Sequence, residues 1–142
     1  MRLIFIFITV AAVFPACSTT KQSNGSEMFY MYKWNLTELS GQAVTAGNPE
    51  NTPHLIFYAG QVGRISGHTG CNRLTGTFEL SSKNKIKFAP VATTRMACSG
   101  EQNETVFLQA LSSASSYRFD EEKLNLYNGK SILAVFTSGT GR

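Results

Sequence analysis

The sequence has few of the side chains that most enzymes use for acid–base and nucleophilic chemistry. Its 142 residues include one Asp, Asp120, and two His, His54 and His68. Asp120 is followed by two Glu in a polar stretch that predicts a turn, so a Ser-His-Asp triad would have to be built on a surface turn. Cys-His catalysis would require a reduced cysteine near His68. The sequence therefore predicts no catalytic residues and a protein that is not an enzyme.

The glycine motifs that bind nucleotide phosphates are also missing. Five glycines fall within residues 60–76, but none belongs to a Gly-Lys-Ser/Thr ending or to a Gly-x-Gly-x-x-Gly motif that opens a helix. Such a density of glycine is expected where strands bend sharply or where the backbone needs a positive φ. No cofactor is expected.

The apolar run at residues 3–14 is too short for a permanent membrane span. A helix of that length rises about 18 Å, against a hydrocarbon core of about 30 Å. With Arg2 before it, the run predicts an export signal. The segment Phe14-Pro15-Ala16-Cys17 resembles a bacterial lipobox, in which Cys17 becomes the lipidated N-terminus. The alternative is an unmodified Cys17 thiol near the start of a soluble secreted protein.

Residues 18–27 contain no apolar side chain and predict a flexible tether with a reach of about 17 Å. Ser18 stands where an Asp would often signal retention in the inner membrane, which favours the outer membrane of a bacterial envelope. We therefore expect the protein to be anchored to a membrane through its N-terminal lipid. The predicted organisation is a signal peptide at 1–16, a lipidated Cys and tether at 17–27, a domain at 28–137 and a flexible tail at 138–142.

The net charge of +4 is a mild basic excess and does not imply nucleic-acid binding. An exported protein rarely meets nucleic acid, and the aromatic residues lie on core-like faces instead of alternating with lysines. Lys83, Lys85 and Lys87 alternate and therefore share one face of a strand. They predict an exposed edge strand protected by charge, with contact to an anionic membrane or lipopolysaccharide as the alternative.

The hydrophobic pattern predicts a mostly β, α+β domain. From Met28 onward the dominant period is two, which is typical of half-buried strands, and Asn128-Gly129 predicts a hairpin turn. Only residues 99–114 favour a helix, with Ser99 and Gln102 forming a capping box. The pattern predicts a small antiparallel sheet that is curled and barrel-like, with one packed helix. The eight predicted strands lie near residues 30–36, 55–58, 62–66, 74–80, 85–88, 117–119, 124–127 and 132–136.

Three separate motifs occur in a characteristic order in the centre of the chain. They are a Gly-Cys-Asn turn within residues 67–78, a Thr-Arg-Met-x-Cys segment at residues 94–98, and a helix that carries Glu104. Together they resemble the META domain family, whose bacterial members include the heat-inducible protein HslJ. The resemblance covers residues 30–136 and implies a small β-rich envelope domain, loosely tied to stress or antibiotic tolerance, without a catalytic mechanism. The matching residues are Gly67, Gly70, Cys71, Asn72, Gly76, Thr94, Arg95, Cys98 and Glu104.

If Cys17 carries lipid, Cys71 and Cys98 remain as a pair in an oxidising compartment, where a disulfide is expected. The 28-residue loop that they would close corresponds to a stabilisation of about 3.6 kcal/mol in the chain-entropy model. Two free buried thiols, or metal or redox use, are the alternatives. His68 and Cys71 could form half of a metal site, but two further ligands are not visible nearby, so no metal is expected.

Two polar residues of the motifs allow more than one interpretation. Asn72 is predicted to close a tight turn, either through its side chain or in a left-handed conformation, with ligand contact as the alternative. Arg95 is predicted to pair with Glu104 or with backbone carbonyls, and the alternative is recognition of an anion or another ligand.

Two functional hypotheses follow from the sequence. The first is a non-enzymatic, membrane-tethered module for interaction or stress-related envelope maintenance, which would bind an unknown envelope protein or glycan and would be a monomer. The second is a carrier that holds a small apolar ligand inside a barrel-like cavity. A fully packed interior would count strongly against the carrier.

Overall fold

The structure is a computed structural model, and it describes residues 25–45, 51–81, 84–97 and 102–140. The predicted leader, Cys17, Lys83, Cys98 and Ser99 lie outside the described residues, so the predictions made for them stay predictions.

The described residues form ten strands and two helices. The helices are α1 (Met28–Met31) and α2 (Gln102–Ser113). The strands are β1 (Lys33–Leu39), β2 (Gln42–Ala43), β3 (His54–Tyr58), β4 (Gly63–His68), β5 (Arg73–Ser81), β6 (Lys85–Phe88), β7 (Ala92–Thr93), β8 (Ser116–Asp120), β9 (Lys123–Asn128) and β10 (Ser131–Gly139).

The strands form one antiparallel sheet that closes into a ring. The order runs β1-β3-β4-β5-β6-β8-β9-β10, and β10 pairs back onto β1, with Leu36 opposite Phe136. The two short strands add to this ring, β2 beside β1 and β7 beside β5. β6 and β8 are joined by a single residue pair, Lys85 with Ser116, and we call this weak join the seam. The predicted mostly β architecture with a curled antiparallel sheet is confirmed.

Alternation of side chains along the strands places one face of the sheet inside the ring. On β1, Trp34 and Leu36 are buried, and on β3 the buried residues are Leu55 and Phe57. Period-two burial is what a strand with one solvated face requires. The largest fully buried side chains are Trp34, Phe29, Phe57, Phe107, Phe136, Leu55, Leu74, Ile86, Leu111, Leu124, Leu126 and Thr69.

The first strand begins later than the sequence predicts. Residues 28–31 form the short helix α1, although their alternation predicts a strand. A helix of four residues has little stability of its own, so tertiary burial must stabilise it. The side chain of Phe29 is fully buried, and its carbonyl oxygen accepts a hydrogen bond of 3.1 Å from Trp34 Nε1. Burial of one aromatic ring therefore overrides the local pattern.

Other differences concern short pairings that the sequence does not signal. The two-residue strands β2 and β7 were not predicted, because two residues carry no readable period. β10 continues through Ser138 and Gly139, which the sequence assigns to a tail, because Gly139 pairs with Lys33. β6 lies between β5 and β8, so the prediction that its lysines mark an edge strand is wrong.

The two helices lie at opposite ends of the ring. At the first end, Tyr30 of α1 lines a cleft together with Gly60 and Val62 of the β3–β4 hairpin. At the other end, α2 lies against the turn between β4 and β5, and its Phe107 ring is 5.9 Å from that of Phe136. We call these the α1 end and the α2 end. In the described part of the chain, neither helix is long and apolar enough to cross a membrane.

Candidate functional site

The turn between β4 and β5 is closed by polar groups within itself. The Thr69 N–H donates to the Asn72 carbonyl oxygen over 2.8 Å, and the Asn72 N–H donates to Thr69 Oγ1 over 2.9 Å. Gly70 has a φ of 104°, which favours glycine because it has no Cβ. Thr69 and Asn72 are both buried. The turn is therefore a rigid unit whose polar side chains point into the protein.

Glu104, in the first turn of α2, binds this turn to the helix. The Thr69 hydroxyl donates to Glu104 Oε2 over 2.7 Å, and Asn72 Nδ2 donates to the same oxygen over 2.9 Å. A carboxylate is favourable at this position because the first turn is the positive end of the helix dipole. Charge-assisted hydrogen bonds of this kind are about twice as strong as neutral ones.

The carbonyl oxygen of the Asn72 side chain holds the segment that follows β7. Asn72 Oδ1 accepts from the Met96 N–H over 2.7 Å and from the Thr94 hydroxyl over 2.9 Å. Thr94 also pairs with the backbone of Arg73 in both directions. Asn72 thus joins three parts of the chain, and we call Thr69, Asn72, Thr94 and Glu104 the Asn72 cluster. Asn72 does not have a left-handed backbone, and its side chain does not close the turn. The Thr69 hydroxyl closes the turn, and the Asn72 side chain bonds the neighbouring helix and segment instead.

Arg95 is exposed and does not pair with Glu104. The Glu104 carboxylate is occupied by Thr69 and Asn72 instead, and in the described ranges the Arg95 guanidinium makes no ion pair. Met96 is 61% exposed, although its N–H is bound to Asn72. A surface cleft of about 370 Å³ lies beside this segment. The cleft is lined by Asn72, Thr93, Thr94, Arg95, Met96, Ala97, Glu104 and Thr105.

Cys71 lies at the edge of the same cluster. Its Sγ is 3.6 Å from the carbonyl oxygen of Met96 and 3.4 Å from Asn72 Nδ2. The backbone of Met96, two residues before Cys98 in the sequence, therefore lies next to Cys71. Cys98 is outside the described residues, and the disulfide stays a prediction.

Gly67 of β4 is the motif glycine with the clearest steric requirement. A Cβ at this position would collide with the backbone carbonyl of His54 on the neighbouring strand β3. The close approach of the two strands therefore requires a residue without a side chain. Gly76 is less restricted, because a Cβ there would meet side chains alone, Val91 at 3.3 Å and Ile65 at 3.5 Å.

The two histidines lie opposite each other on β3 and β4, with stacked rings 6.3 Å apart. His68 Nδ1 accepts the Gly70 N–H over 3.0 Å, and His54 Nδ1 lies 2.8 Å from the Thr52 carbonyl oxygen. Burial lowers the pKa of both rings, and for His68 the charge of Arg73 lowers it further while Glu104 raises it. Within the described ranges, no three His, Cys, Asp or Glu residues come together as metal ligands would.

Thr69 is the residue of the cluster that the sequence motifs did not single out. Its hydroxyl reaches Glu104, 35 positions later in the chain, and its Oγ1 also accepts from the N–H groups of Cys71 and Asn72. The only available signal was its position directly before Gly70, Cys71 and Asn72. A Thr in a turn is common, and nothing local indicates that it is buried.

These observations define the protein as a small β protein. Its strands form a closed antiparallel ring, and Asn72 and Glu104 hold helix α2 to the turn between β4 and β5. The META domain family matches residues 27–139, and the chain belongs to this family. The membership of the META domain family that the motifs predict is therefore confirmed.

The chain is also similar to solved structures. A protein solved by NMR is 24% identical, with a TM-score of 0.60, covering 78% of this chain and 92% of its own. A protein from Burkholderia xenovorans, also solved by NMR, is 21% identical with a TM-score of 0.60. The match covers 97% of this chain and 100% of the Burkholderia protein. A DUF4847 family protein from Bacteroides vulgatus ATCC 8482 is 19% identical with a TM-score of 0.56. The match covers 82% of this chain and 99% of the Bacteroides protein. These likenesses concern the fold alone. No curated protein matches the chain significantly.

Proposed function

We propose that the protein is an HslJ-like lipoprotein of the bacterial cell envelope, anchored through Cys17, whose META domain binds an envelope protein or glycan. The contact surface in this proposal is residues 94–97, which we call the presented segment. The observation that carries the proposal is that the Asn72 cluster fixes the backbone of this segment while Arg95 and Met96 face solvent.

Fixing a segment before binding raises affinity, because less conformational entropy is lost when the complex forms. Arg and Met are both enriched at protein interfaces. The Asn72–Met96 hydrogen bond of 2.7 Å and the Asn72–Thr94 hydrogen bond of 2.9 Å hold the backbone on both sides of Arg95. The presented segment therefore has the properties of a recognition surface.

The polar groups of the cluster support a binding role over a catalytic one. A general base must accept a proton from its substrate through a hydrogen bond. Glu104 lines the surface cleft, but its carboxylate already accepts from Thr69 and Asn72, which are both buried. We infer that Glu104 and Asn72 act by positioning the presented segment and that the domain is not an enzyme.

The position of the presented segment fits a tethered protein. The predicted tether leads into α1, and Tyr30 of α1 lies beside the β3–β4 hairpin. β4 runs from that hairpin to the turn held by α2, so the presented segment is at the other end of the ring. In a lipid-anchored protein, the α2 end would face away from the attachment point and would be accessible to a partner.

The carrier hypothesis is not supported by the interior of the ring. The Phe29 ring lies 4.6 Å from Phe57 on β3 and 4.7 Å and 4.9 Å from Tyr117 and Phe119 on β8. Because β3 and β8 lie on different sides of the ring, Phe29 occupies the space between them. Aromatic side chains thus occupy the position that an apolar ligand would need.

Intact mass of protein extracted from membranes tests the anchor. We expect a chain that begins at Cys17 and carries acyl groups, with Cys71 and Cys98 protected from alkylation until a reductant is added. A leader that remains uncut, together with three cysteines that react without reduction, would refute the lipoprotein proposal.

Site-specific photocrosslinking in the native envelope tests the binding surface. A photoreactive residue at position 96 should give discrete adducts, and Arg95→Ala should abolish them. Position 31 is the matched control, because Met31 is 62% exposed and Met96 is 61% exposed. The same adducts from position 31, or adducts that persist in the Arg95 variant, would contradict a contact at the presented segment.

A further inference from the structure

A cleft on the outer face of the ring collects positive charge at the seam. It has a volume of about 470 Å³, and its lining includes Lys85 of β6, Arg118 of β8 and Lys130 of the β9–β10 turn. The weak join between β6 and β8 leaves room for this cleft, because only Lys85 and Ser116 are paired across it. Three cations from three different elements therefore face one concave surface, and the described residues that line it include no carboxylate.

The residues directly opposite the two strand cations, Lys85 and Arg118, are neutral. Lys85 lies opposite Ser81 on one side and Ser116 on the other, and Arg118 lies opposite Asn125. Cross-strand pairs of opposite charge stabilise a sheet, and neither of these two cations has a directly opposite carboxylate. The charge of Lys85 and Arg118 is thus not neutralised by an opposite strand residue.

Two other cations, one on β6 and one on β9, show the contrast. Lys87 of β6 lies opposite Glu79, and Lys123 of β9 lies opposite Asp120. Each of them has an acidic partner in the sheet, and neither belongs to the cleft lining. Lys87 and Lys123 therefore each lie directly opposite a carboxylate, and Lys85 and Arg118 do not.

Arg118 is held in a position suited to anion binding. Its guanidinium carbon lies 5.7 Å from the centre of the Tyr127 ring, within the range of a cation–π contact. A cation–π contact uses none of the guanidinium N–H donors for a hydrogen bond to a polar acceptor, so they can still donate to an anion. A fork of this kind matches the oxygens of a phosphate group, to which the two lysines would add point charges.

We propose that the seam cleft binds a phosphate group, carried either by an anionic lipid headgroup or by a soluble phosphate compound. The cleft is larger than one phosphate group, so it has room for the moiety attached to the phosphate. This site is separate from the presented segment and does not depend on the function proposed for it.

The test uses the full chain, purified from membranes and held in phosphatidylcholine bicelles, with amide chemical shifts as the readout. One arm adds inorganic phosphate, and the other replaces part of the phosphatidylcholine with phosphatidylglycerol. We expect shifts at Lys85, Arg118 and Lys130 in at least one arm. A response to phosphate identifies a soluble ligand, and a response to phosphatidylglycerol alone identifies a lipid headgroup.

Matched charge variants test whether the phosphate group binds in the seam cleft or responds to surface charge in general. Arg118→Gln and Lys130→Gln should each weaken the responding interaction about tenfold, the loss expected for one hydrogen bond to a charged group. Lys87→Gln and Lys123→Gln remove the same charge and should change it by less than about twofold, as expected for screened surface charges. Equal losses in all four variants, or no shift in either arm, would overturn the proposal. All four side chains are on the surface, and unchanged amide spectra away from the substituted residues would confirm that the variants fold.

Discussion

The two ends of the ring are closed by different kinds of interaction. At the α1 end, Phe29 inserts between strands and contacts other aromatic rings. At the α2 end, Asn72 and Glu104 connect a turn, a helix and the presented segment through hydrogen bonds. Apolar burial is strong but not directional, whereas hydrogen bonds set exact positions. Both ends bury apolar side chains, since Phe107 and Leu111 of α2 are fully buried, but only the α2 end adds a polar network that defines a surface.

Because of this difference, the two ends also differ in how well they tolerate amino-acid substitutions. A buried apolar residue can be replaced by another of similar volume at a cost that is often below about 1.5 kcal/mol. Asn72 has no such substitute, because its amide donates to Glu104 while its carbonyl oxygen accepts from Thr94 and Met96. Neither Asp nor Leu can provide both functions in the same shape.

The largest effect on stability is expected at the α1 end. Phe29→Ala removes a fully buried ring and should lower the free energy of unfolding by about 3–5 kcal/mol, through lost burial and the resulting cavity. Urea unfolding measures this value. Met31→Ala in the same helix is the control and should change it by less than about 0.5 kcal/mol, because Met31 is exposed. Equal effects of the two substitutions would show that Phe29 does not anchor the ring.

At the α2 end, Asn72→Ala should lower the free energy of unfolding by about 2–3 kcal/mol, because it removes the hydrogen bonds that one buried side chain makes to Glu104, Thr94 and Met96. Thr94→Val removes a single hydroxyl that donates to Asn72 and should cost less. The double variant should show a coupling energy of about 0.5–3 kcal/mol, since the residues share one network. Simple additivity in the urea experiments would mean that the cluster does not act as a unit.

Acidification should loosen the α2 end. Burial lowers the pKa of His54 and His68 below the ordinary value of 6.5, so below that pH the unfolded chain binds more protons than the folded protein. Their contribution to stability is therefore complete above about pH 6.5 and is lost as the pH falls below it. Thermal unfolding between pH 7.5 and 5.5 measures the loss.

His68→Asn is the matching control for the pH experiment. The Asn carbonyl oxygen can accept the Gly70 N–H as His68 Nδ1 does, but the side chain does not titrate. The loss of stability on acidification should be smaller in this variant. A variant with the same pH profile as the natural protein would exclude His68 as a source of the effect.

The smallest effect on stability is expected at the presented segment. Arg95→Ala should change the free energy of unfolding by less than about 0.5 kcal/mol, because the side chain is exposed and makes no ion pair with the cluster. Urea unfolding of this variant and of Asn72→Ala would compare the stability contribution of a side chain that faces solvent with that of the side chain that holds the backbone. A loss above about 1 kcal/mol would instead assign Arg95 a structural role.

The strands were predictable where alternation continued for four or more residues. β6 was predicted with its observed bounds, and the segments of β5 and β9 were predicted apart from their terminal residues. The short helix α1 was not, because its alternation resembles a strand and only the burial of Phe29 distinguishes the two. The motifs indicated Asn72, Arg95 and Glu104 as notable, but they did not show which of these residues contact one another.

The amino-acid sequence by itself determined the family of this protein and the face of each long strand that is buried. Both can be read from short stretches of the chain, because side chains along a strand alternate between its two faces and each motif spans only a few residues. Only the tertiary structure decided that β1 closes the ring with β10, whose contacting residues Thr37 and Val135 are 98 positions apart. It also decided that Glu104 binds Thr69 and Asn72 and leaves Arg95 in solvent. Partners so distant in sequence leave no local pattern, because their contact depends on how the whole sheet curls.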